Sequence, residues 1–298
     1  MPLLPDGWTP AGLVISVAAA LVATVALARL AEFEGPRGAG PYAVAALLLS
    51  PASVFLFVGR TEALFLAFAL PAWLAARRGN WPAAALLAAA ASCVRFTGLL
   101  LALALVVEFL TSGRAVRQAA WLAVPFVPTV LLSVYHRVHD GRWLAWQDAR
   151  EAGWGPSPVW PWESLAATWQ GALGDGRFVW MFRLELAGAV AGIGLVVVLF
   201  HLRRWSELVY VGLQVGALVC SASYLAIPRA AVLWWPLFLL VGRASAPGAA
   251  DRTGATDTPG RARRGARPGW WPIVVYALAL GPLMVLNTMT FVDSAWAG

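Results

Sequence analysis

Apolar residues run almost end to end along this chain, near residues 11–30, 41–58, 63–76, 82–94, 99–110, 121–135, 184–202, 207–227, 231–242 and 270–292. Continuous apolar runs of this kind predict an all-α, polytopic membrane protein with about 8–10 membrane helices, residues 1–298 forming one integral membrane domain. Several runs are short. The stretches 63–76, 82–94 and 99–110 rise only about 20 Å as helix, against a hydrocarbon core of about 30 Å, so they are extended by their flanks or are incomplete crossings. Residues 82–110 pose a sharper question, because Arg95 in the sequence RFTG sits in the middle: this is either one long span or two runs joined at the arginine.

Two segments depart from the pattern. Residues 136–178 are polar and rich in tryptophan, and read as one large external loop. Residues 243–269, an Arg/Gly/Pro-rich stretch, hold too few apolar residues to pack and read as a disordered cytoplasmic loop. No internal repeat is visible.

Charge settles the topology. The chain is 60% hydrophobic and only 12% charged, and all of its 22 basic residues are arginine, a bias that suits a GC-rich bacterial genome and so a bacterial plasma membrane. A net charge of +7 raises the possibility of nucleic acid, but the arginines sit mostly in short loops beside apolar runs, so no nucleic-acid partner is expected. With 82–94 and 99–110 as an up-and-down pair, one side of the membrane receives 14 arginines against six acids and the other eight against nine, net +8 and −1. A single span over 82–110 would divide the arginines 10 to 12, so the positive-inside rule favours the pair. The sequence 59–62 (GRTE), RFTG, the loop 136–178 and the IPR of 227–229 then share the external side.

That gathering brings Arg60, Glu62, Arg95 and Arg229 toward one membrane face. An ionisable group at mid-membrane costs about 2.5–3.5 kcal/mol and less near the interface. Arg60 alone is explained by snorkelling. Arg95, centred in an apolar stretch, points to a paired or functional role with Glu62 as its candidate partner. Two arginines beside an external cavity suit a phosphate, which guanidinium groups grip through paired donors. Trp160 and Trp162, with Trp143, Trp146, Trp154 and Trp169, suit a sugar face or a lipid cleft, or simply an interfacial aromatic belt.

Other chemistry is thin. His136, His139 and Asp140 lack an evident third ligand and read as a surface group, so no metal site is expected. Cys93 and Cys220 lie in apolar runs and form no disulfide or zinc pattern. Asp148, Glu151 and Glu163 are the carboxylates of the Trp-rich segment available for acid–base work.

The quoted segments resemble the PIG-V-like mannosyltransferases, integral membrane enzymes of the GT-C type. The sequence SPASVFLFVGRTEALF carries Thr61-Glu62-Ala63-Leu64-Phe65, similar to that family's Thr/Ser-Glu-Ser-Leu-Phe motif. Val94-Arg95-Phe96-Thr97-Gly98 is similar to its Thr-Arg-x-x-Gly motif, the Trp160-Pro161-Trp162-Glu163 turn to its loop motif, and Pro228-Arg229 followed by WWPLFLLVG to its late segment. The likeness covers roughly residues 10–242 and rests on the order of four pieces.

The resemblance implies an inverting transfer of mannose from polyprenyl-phosphate mannose, without a certain cofactor, to a glycolipid or protein acceptor at the external face. Arg95 and Arg229 would hold donor phosphate or acceptor, and Glu62 would orient an arginine or the sugar. Departures follow. The family's first external loop carries an aspartate as the expected base, whereas the residues before Gly12 contain only Asp6, so the catalytic residue is unknown. Arg60 stands for a tyrosine, and Ala230 follows Pro228-Arg229 where the family has tyrosine. A start set too far downstream is the expectation. The alternatives are a catalytically deficient relative acting as a binding or assembly subunit, and a transporter.

Overall fold

The computed structural model describes residues 8–113, 116–154, 158–175, 179–224, 226–247 and 269–292. The described residues form helices and short 3-10 turns, with no strand among them. The protein is all-α. In chain order the first helices are α1 (Trp8–Glu34), α2 (Ala39–Leu48), α3 (Thr61–Arg77), α4 (Trp81–Val94) and α5 (Thr97–Thr111). There follow α6 (Val127–His139), α7 (Ala145–Trp154), α8 (Pro161–Leu173) and α9 (Val179–His201). The last are α10 (Trp205–Val219), the single turn α11 (Ile227–Ala230), α12 (Trp235–Ser245) and α13 (Trp271–Val292).

Among the described residues four helical stretches are long and apolar enough to cross a membrane: 10–34, 117–139, 179–201 and 271–292. A fifth arises if 227–233 and 235–245 count as one broken span. Shorter apolar helices are α2, α4, α5 and α10, in keeping with the short runs of the sequence.

The long helices are sorted by size of side chain. On α1 the buried positions are Ser16, Ala19, Ala20, Ala23, Ala26, Leu27, Leu30 and Ala31, while Val14, Ile15, Val17, Leu21, Val22 and Val25 are exposed. In water that distribution would waste apolar surface. In lipid there is no hydrophobic gain from burying valine, and small residues let helices approach closely, so the small face turns inward.

The chain divides into two compact units, one running to Leu70 and resuming at Val232, the other spanning Pro71–Ala231. In the first, α2 packs against α1 and α12. Its tightest contact is at Gly242 of α12, where a Cβ would lie 2.8 Å from the Ala39 carbonyl oxygen and 2.9 Å from Ala43 Cβ. Glu32 closes the α1–α2 turn by accepting from the Gly38 and Gly40 amides at 3.0–3.1 Å. That places a carboxylate on the otherwise unsatisfied donors at the start of α2. Beside it Arg243 and Glu34 form an ion pair at 2.6 Å.

In the second unit α4 and α5 pack on each other and both pack on the 3-10 segment Val116–Phe126; α5 also packs on α10, and α9 on α8 and α10. The chain reverses between α4 and α5. At Gly98 a Cβ would fall 2.4 Å from Ser92 Cα, so only glycine fits the bend. The up-and-down pair expected from the arginine count is therefore present. Asn80 starts α4 by accepting from the Ala83 amide at 3.3 Å, with Pro82 in the first turn.

The described part of the expected loop 136–178 contains the helices α7 and α8. Polarity alone misled: Pro161 and Glu163 are ordinary helix-start residues. Of the expected disordered loop 243–269, residues 248–268 lie outside the described residues, as does Asp6.

Candidate functional site

The GRTE stretch is a helix entry held from behind by α13. Pro51 breaks the run that follows α2, and Asn287, 4% exposed, donates to the Pro51 carbonyl at 2.9 Å. A carbonyl left without a helical partner needs such a donor. Phe55 meets Phe291 edge to face at 5.8 Å, and the Arg60 guanidinium lies 5.5 Å above the Phe55 ring. Gly59, with φ +72°, turns the chain, and the Ser16 hydroxyl reaches the Arg60 carbonyl at 3.4 Å. Arg60 thus has a structural seat on an aromatic face. Glu62 is completely buried in the first turn of α3, where the helix dipole favours a carboxylate.

Arg95 occupies the α4–α5 reversal in extended backbone (φ −148°, ψ 147°). It lines a cavity of about 610 Å³ together with Cys93, Phe96, Pro128, Leu131 and Leu132. Ser92 and Thr129 complete a lining that is otherwise mostly apolar, so a guanidinium shares its pocket with largely greasy walls. Arg95 is also within electrostatic reach of Tyr210, whose ring is fully buried in α10. One turn on, Gln214 donates to the Tyr210 carbonyl at 3.3 Å.

Arg229 sits in α11, and α11 is fastened to α9. Glu185, 4% exposed, accepts from the amides of Ala226 and Ile227 at 2.7 and 2.8 Å. Those are the donors a helix start leaves unsatisfied, so one buried carboxylate fixes the turn that presents Pro228-Arg229. Ala226 takes a left-handed conformation (φ 66°), and a Cβ on Gly188 of α9 would lie 3.1 Å from Ile227 Cγ2. The preceding strand of loop is pinned as well: Thr168 accepts from the Tyr224 amide at 2.8 Å, and the Val159 amide donates to the Cys220 carbonyl at 2.8 Å.

Trp160 and Trp162 stack face to face at the start of α8, 4.8 Å apart and 10° from parallel, and both are more than half exposed. Trp180, Trp205, Trp270 and Trp271, also exposed, stand at the starts of α9, α10 and α13, as an interfacial belt would place them. His136 pairs with Asp140 at 2.5 Å, while His139 stacks on Tyr135 at 4.1 Å. Among the described residues no group of three potential ligands could hold a metal.

A third charged region lies at the other end of α5. Glu108 accepts from Arg77 at 2.9 Å and from the Ser206 hydroxyl at 2.6 Å. Arg77 also approaches Glu207 at 3.8 Å, and Glu207 pairs with Arg204. These ion pairs, like Arg243–Glu34 and Arg142–Asp148, join residues that the arginine count assigns to the same side.

Of the expected site residues, Arg60 and Glu62 belong to the first unit, and Arg95, Arg229, Trp160 and Trp162 to the second. Sequence reasoning missed Glu185, Tyr210 and Thr168. Glu185 carried a signal, an acid at the head of an apolar run, which is the same signal that singled out Arg95. Tyr210 and Thr168 carried none, because their roles depend on which helices become neighbours. No protein-family model, curated protein or solved structure matches this chain.

Proposed function

We propose that the protein is a membrane glycosyltransferase that moves a sugar, mannose by the motif resemblance, from a polyprenyl-phosphate donor to a glycolipid or protein acceptor at the external face. The single observation that carries the reading is Arg95 in the lining of a mostly apolar cavity. A polyprenyl-phosphate sugar has that same division, with an isoprenoid tail that seeks apolar walls and a phosphate that seeks a guanidinium. Arg229, on a turn clamped by Glu185, is a second cation on a rigid support. Preorganised support counts because a donor aimed at developing charge helps only if it need not reorganise during the reaction.

In this reaction an acceptor hydroxyl attacks the anomeric carbon, the bond from that carbon to the phosphate oxygen breaks, and the phosphate leaves with an additional negative charge. Arg95 stabilises that charge as it forms. The base that takes the acceptor proton is not assigned.

The experiment uses the full chain in membranes supplied with radiolabelled polyprenyl-phosphate mannose. Label appearing in an acceptor fraction, and lost in Arg95→Gln protein that inserts at the normal level, supports the reading. No transfer by the unaltered chain to any endogenous acceptor contradicts it.

A further inference from the structure

The connection between α6 and α8 contains a second hollow of about 450 Å³, lined by both charged and apolar side chains, that the donor site does not use. Its size falls within the range of about 300–1,000 Å³ typical of small-ligand sites. Gly141, with φ +70°, reverses the chain after α6, and Arg137 holds the turn by donating to the Gly141 carbonyl at 3.1 Å. The reversal brings Arg142 and Trp143 over the first turns of α7. There Arg142 grips Asp148 through two contacts, at 3.1 and 3.2 Å. One turn along, Gln147 donates to Glu151 at 3.2 Å. Trp143 is 57% exposed and forms part of the wall.

We infer that this hollow is a binding subsite for a neutral hexose unit, and that it receives the glycan of the acceptor; the second clause rests on the transferase reading above. The chemistry of the lining selects the ligand. Two carboxylates and an amide offer acceptors to ring hydroxyls, and one guanidinium is already engaged with Asp148, so the lining is net negative and repels phosphate and carboxylate ligands. A sugar also has an apolar C–H face, and an exposed indole is the surface it stacks on. The Arg142 fork orients Asp148 before any ligand arrives, which lowers the ordering cost of binding. Beyond the donors of Arg142 and Gln147, the Asp148 and Glu151 carboxylates keep lone pairs for further hydroxyl donors.

The test is saturation-transfer NMR on the full chain in lipid nanodiscs, with methyl α-mannobioside as probe and protein-free discs as blank. Magnetisation should pass to the sugar ring protons. Trp143→Ala and Asp148→Asn should each weaken binding about tenfold, Trp143→Phe should retain part of it, and Arg95→Gln should not alter it. If Asp148→Asn protein fails to fold, Glu151→Gln serves instead. The same disaccharide on a lipid anchor in the disc, or on a soluble glycopeptide, should displace the probe, and whichever does so better identifies the source of the acceptor. Unchanged binding in the Trp143 and Asp148 variants, or none to the unaltered chain, overturns the inference. Sugar binding in a chain that transfers nothing would instead sink the transferase reading and leave the hexose site standing.

Discussion

The two ends of α5 are built on opposite principles. At its C-terminal end Glu108, Arg77, Ser206, Glu207 and Arg204 close on one another, and the acceptors of one side chain are spent on the donors of the next. At its N-terminal end Arg95 stands in a helix reversal and borders a cavity whose other walls are mostly apolar, with Ser92 and Thr129 among them. In the same unit the Glu185 carboxylate is spent on backbone amides of α11. A closed network makes a good joint and a poor binding site. An arginine in a mostly apolar pocket of about 610 Å³ has room beside it for a ligand with both a charged and an apolar part.

The comparison can be broken at either end. The largest effect should come from Arg95→Gln, with transfer lowered by about 100-fold or more, insertion and thermal stability being little changed. Next is Glu108→Ala, which should cost about 2–3 kcal/mol of stability; this is less than a fully buried pair because Arg77 keeps 28% of its side chain exposed. Thermal unfolding of the purified protein in detergent would show it, and activity below the new midpoint should be spared. Gly98→Ala should cost about 1–3 kcal/mol, since the clash is with Ser92 backbone and cannot be relieved by a rotamer. Unlike Glu108→Ala it should lower transfer as well, by displacing Arg95. The smallest effect is expected for Arg60→Gln, about 1 kcal/mol or less from its lost place over Phe55, with transfer nearly intact.

Much of the fold was legible because the bilayer simplifies the code. Long apolar runs became helices, and the arginine count decided that residues 82–110 turn back at Arg95, which Gly98 and Ser92 bear out. The ion pairs Arg77–Glu108, Arg204–Glu207 and Arg243–Glu34 join residues that the same count assigns to one side. What stayed hidden depends on rotation about helix axes. Trp73, Trp81, Trp234 and Trp235 are wholly buried while Trp143, Trp160 and Trp162 are exposed, and no period in an all-apolar helix announces which face meets protein. The order within 136–178 was missed because a polar helix such as α7 looks like a loop to any argument based on hydrophobicity. The site was only partly legible: Arg95 stood out by its isolated charge, whereas Glu185 was absorbed into the run that begins beside it.

The most direct measurement uses Cys93, an exposed thiol on the wall of the Arg95 cavity. In protein carrying Cys220→Ser, the rate of Cys93 alkylation is followed with polyprenyl phosphate or the uncharged polyprenol present. The account predicts protection by the phosphate, little by the alcohol, and no difference between them once Arg95 is changed to Gln. Equal protection by both lipids in the unaltered cavity, or protection by neither, would contradict it.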